Sequence, residues 1–383
     1  MAAAPARLLA FEVLRAVEKG GYASDLLRLR GAALDSRDAG LASEIAFGVL
    51  RCQAQLDFLI RRYSGRDPSW LDPEVRIALR MGIYQVRWLD RVPAHAAVGE
   101  SVELVKRARK RSAAGFVNAV LRKAGKEEVP WPDRATALSH PAWMLERWDR
   151  QYGPEIAGAI ASANLEAPAT WVRVPPGAPP PEGAEATALP GCYRLVGGHP
   201  GPYRIQDIGS QSIVPLLRLE PGQRLLDLCA APGNKTAQAM EAGVRAVACD
   251  VHPRRIAMLQ GSAADLLVLD GSRPLPFGRA FDRVLLDAPC SGTGTLGRNP
   301  EIKWRLGPED IGALHRLQVA LLDQARSVLA PGGRMVYSTC SLEREENEDV
   351  VAAVPSRLVG EILTRLPGRD PGDGFFAAVI ESE

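Results

Sequence analysis

Between residues 8 and about 126 the apolar side chains recur three and four positions apart: Leu8, Phe11, Leu14, Val17; Ala42, Ile45, Ala46, Val49, Leu50; Val75, Ala78, Leu79, Ile83, Val86; and Phe116, Val117, Val120, Leu121. One apolar stripe every 3.6 residues is what packed helices require. The spacing therefore predicts an all-helical domain over residues 1–130. Its breaks carry turn chemistry, at Gly20-Gly21, at Ser64-Gly65-Arg66-Asp67-Pro68 and at Val92-Pro93.

The pattern then changes. Two helical stretches (141–152 and 155–163) and a short strand (170–174) lead into Pro175-Pro176-Gly177-Ala178-Pro179-Pro180-Pro181-Glu182-Gly183. That run cannot lie inside an element, because proline removes donors and glycine loosens the chain. A small α+β connecting subdomain is expected over 131–203. From residue 204 onward short apolar runs alternate with loops and helical patterns. Strands are predicted at 224–228, 245–249, 266–269, 281–286 and 334–337, a long helix at 309–329, and a closing pair of strands at 359–363 and 375–380. Alternating units of this kind fold as a doubly wound, mostly parallel α/β sheet, here over 204–383.

Composition adds one asymmetry. Net charge is +2, with 46% hydrophobic and 24% charged residues, ordinary for a globular chain. Residues 1–135 hold 23 Lys and Arg against 16 Asp and Glu, so the remainder is net acidic. Basic charge gathered in one domain points to a polyanionic partner there. The densest run is Lys106-Arg107-Ala108-Arg109-Lys110-Arg111, which with Arg61, Arg62 and Arg66 is suited to a phosphate backbone. No apolar run approaches the roughly 20 residues of a membrane span, and the N-terminus lacks the pattern of a leader. A cytoplasmic protein without membrane association is expected. None of the six cysteines or five histidines has metal-ligand spacing, so neither disulfides nor a metal are expected.

Candidate chemistry gathers where strands stop, the place at which open α/β sheets bind ligands. Leu225-Leu226-Asp227-Leu228-Cys229-Ala230-Ala231-Pro232-Gly233-Asn234-Lys235-Thr236 reads as strand, tight turn and helix start. Its small residues let a ligand approach the backbone, and helix N-terminal N–H groups favour an electron-rich group. It is not a phosphate loop, since Asn234 and Cys229 stand where that motif needs glycine, and G-x-G-x-x-G is absent. Asp250, closing the next strand, is placed for ribose hydroxyls, and Asp270 for an adenine amino group; the alternative is that each only caps a helix. An adenosine ligand without phosphates, S-adenosylmethionine, fits. Asp287-Ala288-Pro289-Cys290-Ser291-Gly292-Thr293-Gly294 follows the strand at 281–286, and Ser338-Thr339-Cys340-Ser341 follows that at 334–337. Two thiols at two strand ends suit methylation at carbon 5 of a pyrimidine. A thiolate added to carbon 6 makes carbon 5 nucleophilic, and the same thiolate can later leave.

These segments, with Asn299-Pro300-Glu301-Ile302-Lys303-Trp304 and Glu345-Glu346-Asn347-Glu348, resemble the RNA cytosine-5 methyltransferases of the NOL/NOP/Sun family. The helical front, through residues 42–51, 76–86 and 112–122, resembles the NusB family of RNA-binding domains. The resemblance implies a NusB-like domain, a Rossmann-like class I methyltransferase domain and a monomer acting on RNA, 16S rRNA above all, with transfer RNA or another rRNA site as the alternative. A noncatalytic RNA-binding factor is the competing class. The resemblance assigns attack to Cys340 and product release to Cys290. It gives the cofactor Cys229, Ala230, Ala231, Pro232, Gly233, Asn234, Lys235, Asp250, Asp270 and Asp287, the last shared with the target base. Lys303 and Trp304 become RNA contacts beside Lys106, Arg107, Arg109, Lys110 and Arg111, while Gln206, Asp207 and Ser210 brace the cofactor loop. Two departures stand out. Asn234 replaces a usual second glycine, where tolerance of left-handed backbone is expected to matter, and only 19 residues separate Asp250 from Asp270, which puts the intervening helix in question.

Overall fold

A computed structural model describes residues 4–125, 127–355, 357–360 and 362–382. The chain forms two compact units, Met1–Ala167 with Leu296–Arg305, and Pro168–Thr295 with Leu306–Glu383. No described helix is long and apolar enough to cross a membrane.

The first unit is helical. Its elements are α1 (Pro5–Val17), α2 (Ala23–Gly31), α3 (Ser36–Arg51), α4 (Gln53–Ser64), α5 (Pro73–Trp88), α6 (Ala94–Arg107), α7 (Ala114–Lys123), α8 (Arg134–Leu138), α9 (Ala142–Tyr152) and α10 (Pro154–Ala163). The stripe read from the sequence is the buried one: Ala42, Ile45, Ala46, Val49 and Leu50 of α3 and Val75, Ala78, Leu79 and Ile83 of α5 share one core. Helix ends follow local chemistry. The Asp35 carboxylate accepts from the Asp38 N–H at the start of α3, Gly65 turns left-handed (φ 68°) to stop α4, and Pro73 opens α5.

The second unit carries two sheets. A small antiparallel one is built from β1 (Thr170–Arg173), β2 (Ala184–Ala186), β3 (Cys192–Leu195) and β4 (Arg204–Ile205), in the order β2-β3-β1-β4. The proline-rich run is the loop between β1 and β2. Val172 pairs with Ile205, so the small sheet crosses the boundary expected at 203/204. Pairing across the chain, not composition, decides where this subdomain closes.

The large sheet follows. After α11 (Ile208–Gln211) come β5 (Arg224–Asp227), α12 (Asn234–Met240), β6 (Arg245–Asp250), α13 (Pro253–Ile256), β7 (Asp265–Val268) and β8 (Phe281–Asp287). The turn α14 (Ile302–Arg305) belongs to the helical unit, and the chain then returns through α15 (Pro308–Ser327), β9 (Leu329–Thr339), α16 (Glu348–Ala353), β10 (Arg357–Leu358), β11 (Leu363–Arg365) and β12 (Phe375–Glu381). Among the described residues the order is β10-β12-β9-β8-β5-β6-β7, with β11 also on β12. The strands from β7 to β9 are parallel and β12 is antiparallel to β9. This is a Rossmann-like sheet whose order reverses between β5 and β8, the position at which such folds bind ligands.

Two expectations change, and one doubt is resolved. The strand expected at 359–363 is replaced by β10 and β11, because Gly360 turns left-handed (φ 80°) between them; Glu361 lies outside the described residues. β9 starts five residues earlier than the apolar run and bulges through Pro331-Gly332-Gly333, where its register against β8 slips. Between β6 and β7 only the four residues of α13 and a short 3-10 turn remain, as the close spacing of Asp250 and Asp270 foreshadowed. β7 is left exposed along its whole length.

Candidate active site

Asp287 ends β8 beside the end of β9, and its two oxygens are both used: Oδ2 accepts from Lys235 Nζ at 2.7 Å and Oδ1 from Ser338 Oγ at 2.8 Å. Lys235, in the first turn of α12, also stands 5.1 Å above the Phe375 ring. Just beyond each strand end the chain presents a thiol. Cys290 Sγ and Cys340 Sγ are 3.4 Å apart. Their hydrogen bond, with burial and the Cys340 and Glu346 charges, raises the Cys290 thiol well above its ordinary range. Either thiol can donate in this contact.

The Ser-Gly-Thr-Gly loop after Cys290 is packed, although glycines at two of its four positions suggest a flexible segment. Ser291, Thr293 and Thr295 are buried, the Gly294 N–H donates to the Cys340 carbonyl at 2.9 Å, and the Gly374 N–H donates to the Gly294 carbonyl at 2.8 Å. A Cβ on Gly294 would lie 2.5 Å from the Gly374 oxygen. Glycine is there because three backbones meet, not because the loop must move.

The expected cofactor segment, Cys229 to Lys235, is the turn between β5 and α12. Cys229 has its thiol pushed well up by burial first and then by Asp227, Asp250 and Asp287, so three carboxylates surround this turn. Lys235 neutralises Asp287 and Arg255 lies 3.9 Å from Asp250, so the turn offers carboxylate acceptors without a cluster of phosphate-binding cations. Asp227 is buried at the base with Thr236 Oγ1 donating to it at 2.6 Å; burial raises its carboxyl to about 7. Gly233 takes the left-handed conformation (φ 103°), and a Cβ there would meet the Leu259 side chain at 2.7 Å. Asn234 is the first residue of α12 and has no positive φ. The left-handed demand falls on Gly233 alone, so asparagine one position later costs no backbone strain. The turn therefore fits an adenosine compound without phosphates.

Asp250 closes β6 and bonds the His252 N–H at 2.9 Å. Asp270 lies two residues past β7 with its oxygens on Ser272 and Arg273, engaged with its own turn but still exposed on one side. Gln206 Nε2 donates to Gln238 Oε1 at 2.9 Å, and Gln238 in turn donates to the Gln211 carbonyl. This holds α12 against α11. Asp207 accepts from the Gly209 and Asp373 N–H groups, and Ser210 Oγ from Gln206 at 3.4 Å.

Lys303 is not available as expected. Lys303 is fully buried in the helical unit, where Nζ donates to the Arg51 carbonyl at 2.9 Å. Trp304 Nε1 donates to the Leu50 carbonyl at 2.7 Å. Both satisfy carbonyls that the end of α3 leaves without helical partners, so Lys303 is part of a joint and not an RNA contact, while Trp304 is only half-buried. Of the basic run, Lys106 pairs with Glu103 and Lys110 with Asp72, while Arg107, Arg109 and Arg111 are exposed. Sequence reading missed Glu346, Gln318, Ser291 and Ser341, which lock the thiol loops together. The acidic run after Cys340 was their only trace. Among the described residues no His, Cys, Asp and Glu cluster has metal-binding geometry.

Comparison with known proteins agrees with this architecture. The family model described as 16S rRNA methyltransferase RsmB/F matches residues 214–359, the NusB family model residues 4–126, and an RsmF/B-like ferredoxin-like domain residues 140–176. Ribosomal RNA small subunit methyltransferase B of Citrobacter koseri is 33% identical, covering 97% of both chains, and that of Escherichia coli O1:K1 is 32% identical over 95% of both. Among solved structures, PH0851 matches over all of both chains with a TM-score of 0.83 at 23% identity, which shows the fold. A methyltransferase homologue from Pyrococcus horikoshii matches with a TM-score of 0.55 at 25% identity, over 66% of this chain and all of its own. With a NusB-type front, a Rossmann-like sheet and full-length similarity at this level, the chain belongs to the ribosomal RNA small subunit methyltransferase B family.

Proposed function

We propose that the chain methylates carbon 5 of a cytosine in 16S ribosomal RNA, with S-adenosylmethionine as donor and a transient bond between Cys340 Sγ and cytosine carbon 6. The observation that carries this reading is the 3.4 Å approach of two thiols at adjoining strand ends, beside the Lys235–Asp287 pair. One thiol suffices for addition. A second, held against it as a proton donor, serves the reverse step.

Cys340 Sγ adds to carbon 6 and converts the ring to an enamine, whose carbon 5 is nucleophilic. Asp287 bonds the exocyclic amine or ring nitrogen and orients the base, while Lys235 fixes the Asp287 carboxylate. Bound in the turn from Cys229 to Lys235, between Asp250 and Asp287, the donor supplies an electrophilic methyl group on a positive sulfur. Methyl transfer would release S-adenosylhomocysteine; a water molecule then takes the carbon 5 proton, and the electron pair of that C–H bond restores the ring double bond as Cys340 departs as a thiolate. Cys290 donates its S–H hydrogen bond to that leaving sulfur, which stabilises the developing charge. The test is transfer of a labelled methyl group from S-adenosylmethionine to protein-free 16S rRNA, with the modified base mapped. Label on a single cytosine is expected. Label on another base, or on transfer RNA alone, defeats the assignment.

The basic segment at the end of α6 is proposed to hold the RNA backbone. Neutralising Lys106, Arg107, Arg109, Lys110 and Arg111 together should weaken RNA binding and lower the slope of log K against log salt. Two of the five already have acidic partners, so the slope should fall by about 2, at ~0.7 for each single-strand phosphate that the protein no longer neutralises. An unchanged slope in a salt titration removes this surface from the interface.

A further inference from the structure

Cys290 and Cys340 come from loops 50 residues apart, and a thiol pair held this close needs something that fixes both. Each cysteine is followed by serine, and both serine hydroxyls reach one carboxylate. Glu346 is fully buried. Its Oε2 accepts from Ser291 Oγ and from Ser341 Oγ, each at 2.5 Å, and its Oε1 accepts from the Ser291 N–H at 2.8 Å and from Gln318 Nε2 at 3.0 Å. Gln318, on α15, also donates to the Pro289 carbonyl at 2.9 Å. Tyr337 of β9 donates its hydroxyl to the Glu346 carbonyl at 2.6 Å, and Asn347 next to it bonds Thr339 and the Ser341 carbonyl.

A buried carboxylate is costly to desolvate unless donors surround it. Here all four donors come from the two cysteine loops and the helix behind them. We propose that Glu346 is a positioning residue that sets the separation of Cys290 and Cys340 by holding Ser291 and Ser341 on a single carboxylate. The inference rests on the two-thiol reading above for its consequence in turnover, but the distance it controls can be measured without RNA.

The experiment measures disulfide formation between Cys290 and Cys340 under an azodicarboxamide oxidant, mapped by peptide mass. Two thiols give up two protons and two electrons, and the azo bond is reduced to a hydrazine. Wild type should cross-link readily. Glu346→Ala and Ser341→Ala should cross-link at least tenfold more slowly, and their kcat should fall about a hundredfold while the KM for S-adenosylmethionine stays within twofold. Glu346→Gln, which keeps the reach and an acceptor, should recover most of both. Donor binding serves as the check on folding, and Ser341→Ala carries the test alone should Glu346→Ala fail it. Cross-linking at the wild-type rate in the alanine variants overturns the proposal, as does an undiminished kcat in a variant whose cross-linking has slowed. Glu346-dependent cross-linking in an enzyme that labels no RNA leaves the positioning intact and removes the reaction instead.

Discussion

Cys340→Ala is expected to abolish methyl transfer, while Cys290→Ala, with Cys340 intact, is expected to accumulate a one-to-one covalent protein–RNA adduct. The two thiols differ in what surrounds them. The Cys290 thiol is raised by its contact with Cys340 and by burial, which disfavours the thiolate that attack requires. Loss of the attacking sulfur removes the covalent route altogether, a fall on the order of 10⁶-fold where a nucleophile is deleted. Loss of the donor leaves addition possible and slows only the departure of Cys340. The adduct should therefore appear as a slow band on a denaturing gel, dependent on both RNA and S-adenosylmethionine and eliminated by ribonuclease. Its appearance with Cys340→Ala instead would reverse the roles and make Cys290, the thiol after proline, the nucleophile.

Much of this site is legible in the sequence because strand ends are legible. A run such as Val284-Leu285-Leu286 announces a buried strand, and whatever polar group follows it lies at the ligand-binding edge of a parallel sheet. That logic alone brings Asp287, Cys290 and Cys340 together. It cannot find Glu346, because four donors from three distant segments leave no periodicity in the sequence. It also misreads glycine and asparagine. Ser-Gly-Thr-Gly looks mobile, yet Gly294 is there for close packing against Gly374, and Asn234 looks strained although Gly233 alone carries the left-handed turn. Domain limits fail for the same reason. The segment Leu296–Arg305 follows the Cys290 loop in sequence but packs among helices, and composition does not report where a segment packs.

Lys303 shows what that segment does, and it leads to the second large effect. Its ammonium lies in the helical unit, bonded to the Arg51 carbonyl and 5.2 Å from the Trp304 ring centre. Burial, aided by the neighbouring Arg51 charge, lowers its pKa to about 7. In the unfolded chain the same group titrates near 10.5. Between these values the unfolded state binds more protons than the folded one, so folding is favoured as pH rises. The penalty is absent above about 10.5, grows as pH falls through this window and is complete below about 7. Between pH 7 and 9 folding should gain about 2 kcal/mol, from ~1.4 kcal/mol per pH unit, less near pH 7 where the folded group is itself partly protonated. Lys303→Met keeps the volume and removes the charge. Calorimetry of the full chain should show the wild type gaining this stability relative to the variant as pH rises. Groups remote from Lys303 cancel in that comparison, whereas Cys52, whose thiol burial raises to about 11 and the Lys303 charge lowers, shifts with it. Parallel pH profiles for the two proteins would mean that Lys303 keeps its ordinary pKa in the folded chain, as a solvated ammonium does, and that its place in the joint between Leu296–Arg305 and α3 costs the charge nothing.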